Sequence, residues 1–372
     1  MSLEPAARLK LIKSELLAKY SASCGIKASV QVVSTLLPYF AIWYVAIISA
    51  QTSYFLTGCC VLLLALFSLR ILVLMHDAGH NSFFCSHRLN KASGFVLGVL
   101  AGMPQYVWSQ HHNFHHSTNG DWSKYRGPLS TLSTEEFSEL NTHQQKSYVR
   151  ARRLINAPLG GFVYLILNPR LNWLKGCVAL LAHIFKSKWR ASTQPLNEII
   201  SSFETKHWCS RAEFWHMTAN NSVLLSIWLL MSLWIGPLTF FFIYVVSLSL
   251  AGAGGIILFT VQHNFEHSYA SEEEDWDYHE AALHGTSYLK LPAWLNWFTA
   301  NIGYHHVHHL SARIPNYQLK QCHEEYREYF TDVPRLFLSQ LPASLQCILW
   351  DKGKRRIISI DEYYQSLSSG VA

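Results

Sequence analysis

The chain has 372 residues, 50% of them hydrophobic and 14% aromatic, with only 15% charged, against roughly 25% in soluble domains; a membrane protein is expected rather than an ordinary soluble enzyme. A formal charge of +6 is too modest for an electrostatic footprint on nucleic acid, and no nucleic acid is expected as a partner. The eight cysteines include no CxxC pair, which argues against a zinc ribbon or a disulfide framework and fits a reducing compartment.

In chain order, residues 1–27 mix polar and apolar types around a Leu/Ile stripe. They lack a basic start followed by an apolar core and a cleavage site, so no removable signal is expected. Four segments, residues 29–50, 53–75, 218–235 and 238–260, are apolar over the length needed to cross about 30 Å of hydrocarbon. Short links join them in pairs, giving two transmembrane hairpins. Lys and Arg are absent from 28–69 and from 212–289. The turns at Gln51 and Thr52 and at Gly236 and Pro237 carry no charge, so the opposite side, with every Lys and Arg, is expected to be cytoplasmic together with both termini. Residues 93–108 and 157–185 are apolar but interrupted by Pro104 or by Asn168, Pro169, Arg170 and Lys175. They read as interfacial or re-entrant helices. No linker, repeat or low-complexity tract divides the sequence, and a single domain over 1–372 is expected, with tails at 1–28 and 320–372. The predicted class is an all-α membrane protein: four spans in two hairpins, interfacial helices, and a cytoplasmic helical cap carrying a metal site.

The cap is suggested by the histidines, of which there are twenty. Many fall in three short runs at or beyond the cytoplasmic ends of spans: His76 and His80; His111, His112, His115 and His116; His305, His306, His308 and His309. On a helix, residues at i, i+3 and i+4 share a face, so each run presents imidazoles in one direction. His263 and His267 repeat the i,i+4 spacing just past the last span. A single buried histidine is more often a satisfied core residue, but three matched clusters point to metal. Imidazole suits Fe, Zn, Cu and Ni alike. Eight to ten ligands exceed one tetrahedral zinc and match two ions with five or six ligands each. His111 and His306 are expected beside the ligands rather than among them. Asp77, Asn113, Asp121 and Glu266 are candidate acceptors for the second ring nitrogens. His87, His143, His183, His207, His216, His279, His284 and His323 are isolated, and ordinary structural roles are expected for them.

With these runs on the page, the sequence resembles the membrane fatty acid desaturase family, whose pattern is HxxxH, HxxHH and a late HxxHH around two transmembrane hairpins. Residues 76–84, His-Asp-Ala-Gly-His-Asn-Ser-Phe-Phe, resemble the first box of omega-6/delta-12-like and bacterial acyl-lipid desaturases. Residues 301–317, from Asn-Ile-Gly-Tyr-His to Arg-Ile-Pro-Asn-Tyr, resemble the last box. The likeness spans about residues 70–319. It implies two irons held by the box histidines with help from a group near the last span, for which His263 and His267 are the candidates. It also implies O2 as co-substrate and an acyl chain, carried by membrane lipid, as substrate. No His-Pro-Gly-Gly haem signature is present, so electrons are expected from a separate ferredoxin or small haem cytochrome with its reductase.

A mid-chain methylene has no acidic proton and no leaving group, so acid/base or nucleophilic side chains cannot activate it, whereas iron with oxygen can. The substrate also needs a long apolar channel, for which Gly252, Gly254 and Gly255 could leave room, although helix packing is the simpler role for them. The acidic run 272–275 could dock a basic electron carrier or be an ordinary solvated loop. A hydroxylase, acetylenase or ketolase on the same scaffold, a membrane zinc hydrolase and a metal carrier remain as alternatives.

Overall fold

A computed structural model of the chain describes residues 5–127, 129–190 and 193–369. The extreme ends of both tails lie outside them. Among the described residues four helices, Gly25–Ser49, Tyr54–Gly79, Arg211–Ile235 and Pro237–His263, are long and apolar enough to cross a membrane. At 1.5 Å per residue each reaches beyond a 30 Å hydrocarbon layer. The hydrophobic pattern locates their outer ends within two residues. The inner ends run further than apolarity alone suggests, because nothing in the helix breaks at the membrane boundary. The second span therefore continues through His76 to Gly79, and the fourth through His263.

The second and fourth spans form the inner pair, 67% and 44% buried over their apolar windows, against 28% and 17% for the first and third. Leu64, Ile71, Leu74, Ile243 and Leu248 fill the seam, and Trp43 of the first span stacks on Phe240 of the fourth at 6.0 Å. The outer faces of the other two expose Val33, Leu37, Leu229 and Leu233, as lipid contact requires. Of the small residues in the last span, Gly252 meets Gly161 backbone to backbone. A Cβ on Gly161 would lie 2.2 Å from the Ser249 carbonyl oxygen. Gly254 faces Leu69 and Gly255 faces Leu72, so these glycines serve close packing.

The two broken apolar segments take different forms. Residues 93–108 are two helices joined by a buried turn, the re-entrant rather than the interfacial alternative. Helix His87–Leu100 ends in a turn, Pro104 starts helix Gln105–Thr118, and Leu97, Val99 and Met103 are buried inside the bundle. The second segment starts as Ala157–Gly161, passes through a π-helical stretch Phe162–Leu167 and continues as Asn168–Arg190. Pro169 has no N–H to give the Leu165 carbonyl; Arg170 Nη1 donates to that oxygen instead at 3.1 Å. Beyond that point Leu174, Val178, Leu181, Phe185 and Trp189 form an exposed apolar stripe, the pattern that an interfacial helix requires.

The tails complete the cap. Helix Pro5–Tyr20 packs on Tyr278–His284 and on Asn316–Glu325, where Lys19 and Tyr20 both donate to Glu325. Among the described residues five short strands, β1 (Leu132–Ser133), β2 (Tyr288–Lys290), β3 (Arg335–Phe337), β4 (Cys347–Asp351) and β5 (Arg356–Ser359), make two small sheets. β1 pairs parallel with β4, and β4 antiparallel with β5, in the order β1-β4-β5; β2 pairs parallel with β3. They tie the C-terminal tail to the loops around the histidines without altering the helical class.

Candidate metal centre

The second span delivers His76 in its last turn, with His80 one residue past its end. Helix Gln105–Thr118 crosses that turn so closely that a Cβ on Gly79 would lie 2.5 Å from Ser109 Oγ. The absence of that Cβ lets His112, His115 and His116 reach the same space. The six-residue helix His305–Leu310 brings His305, His308 and His309 from the cap, and His263 closes the floor from the end of the last span.

Nine imidazoles converge. His76, His80, His112, His116 and His308 each offer a nitrogen within 4.8 Å of the others, and His115, His263 and His309 form a second such group. His305 joins the second through a 2.9 Å approach of its Nε2 to that of His263. The stacked rings of His116 and His309, 4.2 Å apart, make the wall between the groups. Facing Nε2 pairs stand 3.3 Å apart for His76 and His80, 3.1 Å for His112 and His116, 3.0 Å for His116 and His308, and 3.2 Å for His115 and His263.

Burial, reinforced by neighbouring imidazoles, holds His80, His112, His115, His116, His305, His308 and His309 well below the ordinary histidine range. Their rings are thus neutral, with lone pairs converging at distances where few protons fit. His309 Nε2 is buried with no hydrogen-bond partner. Such a donor set fits cations, which satisfy converging lone pairs without protons.

Several ligand-type rings are fixed from behind. His76 Nδ1 donates to Asp77 Oδ1 at 3.0 Å, while Asp77 Oδ2 accepts the Asn316 N–H at 2.8 Å. His263 Nδ1 donates to the Gly285 carbonyl at 3.2 Å. Trp108 stacks on His112 at 4.5 Å, and Phe259 lies against both His115 and His263. The Trp108 to His112 spacing, i to i+4, was available in the sequence; the Gly285 carbonyl carries no sequence signal.

The remaining candidates lie elsewhere. His267 is not brought to the cluster, because the helix ends at His263 and Asn264 is extended, so the i,i+4 relation lapses. His267 has a positive φ and accepts from Arg356 Nη1 at 2.7 Å on the surface, with its neighbour Glu266 also exposed. His111 is exposed on the outer side of its helix. His306 is buried but turned away, its Nε2 2.9 Å from His323 Nδ1. Asp121 bonds Ser123 and Lys124 instead of an imidazole. Three of the four acidic residues at 272–275 are paired locally: Glu272 with Lys352, Glu273 with Lys124 and Asp275 with Arg355.

Comparison with known proteins gives a consistent picture. The family described as fatty acid desaturase matches residues 52–339. A fatty acid desaturase of Bacillus subtilis is 33% identical over 331 residues, 89% of this chain and 85% of its own length. An endoplasmic reticulum omega-3 desaturase of Vigna radiata is 26% identical over 68% of this chain and 60% of its own. A chloroplastic omega-6 desaturase of Arabidopsis thaliana is 24% identical over 69% and 50% respectively.

Proposed function

The chain belongs to the fatty acid desaturase family, and from that premise we propose that it is an O2-dependent enzyme removing two hydrogens from a lipid-linked acyl chain at a histidine-held pair of irons. The observation that carries this reading is the convergence of nine buried imidazoles into two adjoining groups. One tetrahedral zinc uses at most four ligands; five imidazoles around one ion and four around a second account for all nine. Bound iron would supply the oxidation of an unactivated methylene by O2, which no side chain performs. The balance is one O2, two electrons, two protons and two acyl hydrogens in, and one double bond and two waters out.

The chain's own residues hold this arrangement. Asp77 and the Gly285 carbonyl fix the tautomers of His76 and His263 so that Nε2 of each faces inward. Burial keeps the donor nitrogens unprotonated, and Trp108 and Phe259 cover the rings against water. The electrons would come from a separate carrier, a ferredoxin or a small haem cytochrome with its reductase. The distribution of Lys and Arg supports cytoplasmic termini and a cytoplasmic metal centre.

Metal analysis of the purified protein tests the reading. Two irons per chain are expected, with a marked loss in His112→Ala and His308→Ala. A single zinc per chain would overturn it.

A further inference from the structure

We propose that the apolar cleft beside the last span is the lateral entry for one acyl chain of a phospholipid in the cytoplasmic leaflet, and that Arg153 at its mouth receives the headgroup phosphate. This rests on the desaturase reading and specifies the carrier of its substrate. One wall of the cleft is Ile256, Phe259 and Thr260 of the last span; the other is Leu154 and Gly160, with Leu345 of the C-terminal tail also lining it. Its inner end abuts the candidate metal centre, since the Phe259 ring is 5.0 Å from that of His115 and 4.9 Å from that of His263. The width is set at Gly160, where a Cβ would already stand 3.2 Å from Ile256 Cδ1.

The mouth identifies the occupant. Leu154 and Ile155 beside it are 52% and 82% exposed, apolar surface at the cytoplasmic end of a span, where lipid tails are the neighbours. A tail in the leaflet reaches such a mouth without crossing water. Arg152 is occupied, donating to the carbonyls of Tyr148, Leu129 and Ser130. Arg153 is exposed and has no side-chain partner among the described residues. No Asp or Glu occurs between residues 140 and 197, so the rim is cationic, and a guanidinium binds phosphate bidentately.

The test is photo-crosslinking of the purified, iron-loaded protein in nanodiscs, with adducts mapped by mass spectrometry. The probes are phosphatidylcholine with a diazirine-bearing acyl chain, the matching acyl-coenzyme A and the free fatty acid. Adducts of the phospholipid on Ile256, Phe259 or Leu345 are expected. Gly160→Leu should remove them while leaving iron content unchanged, and Arg153→Ala should lower them by roughly tenfold or more, the loss of a charge-assisted phosphate contact. Cleft labelling by the coenzyme A ester or the free acid in preference to the phospholipid, phospholipid adducts only elsewhere, or indifference to Arg153→Ala would overturn the proposal. The outcome is separable from the desaturase reading. A new double bond in cells with adducts outside the cleft sinks the cleft alone, and cleft adducts without any acyl product sink the reaction alone.

Discussion

At the scale of residues, the pair that best separates sequence spacing from geometry is His263 and His267. Both satisfy i,i+4, but only His263 is on the helix, and the turn after it sends His267 to Arg356. His263→Ala should lose bound metal and activity, whereas His267→Ala should keep both, as read by iron content and acyl products; the reverse pattern would mean that the loop after the last span refolds around metal. The three boxes were legible because helical periodicity projects each run onto one face. His306 was not, since its face is decided by His323, seventeen positions away. The neutral imidazoles also set a pH dependence for metal-free protein. Unfolded histidines titrate near 6.5, and burial holds the folded ones well below that. Below about pH 6.5 the unfolded chain binds more protons, so stability falls as pH drops and is flat above. The thermal midpoint of metal-free protein should decline from pH 7 to pH 5, with bound metal opposing the decline; a midpoint constant over that range would contradict desolvated rings.

Between elements, the crossing of Gly161 and Gly252, where two backbones touch, locks the segment before the π-helical stretch onto the last span. Gly161→Val must push the segments apart, at a cost of about 1–3 kcal/mol for overpacking. A lower thermal midpoint in detergent together with weakened iron retention is expected, and an unchanged midpoint would show that the crossing has slack. Hydropathy located the four spans because lipid and length impose one pattern. It left residues 93–108 open between interfacial and re-entrant helices because burial against protein and burial in an interface select the same apolar residues. The β1-β4-β5 sheet was illegible for another reason. Its strands have two to five residues, and Leu132 pairs with Leu349 across most of the chain, so no local pattern announces it.

For the whole molecule, both hairpins turn on one side and the histidines, tails and small sheets gather on the other. A membrane-impermeant maleimide should therefore label Thr52→Cys on intact cells and reach the exposed Cys85 and Cys209 only after permeabilisation. Labelling of Cys209 from outside would invert the topology. The central claim is that the imidazole cluster removes hydrogen from an acyl chain. The most direct measurement is a fatty-acid profile, by gas chromatography and mass spectrometry with double-bond derivatisation, of cells expressing the chain beside cells expressing His308→Ala. The account predicts a new unsaturated acid, two hydrogens lighter and with no added oxygen, in the first culture alone. A hydroxylated product, or the same new acid in both cultures, would contradict it.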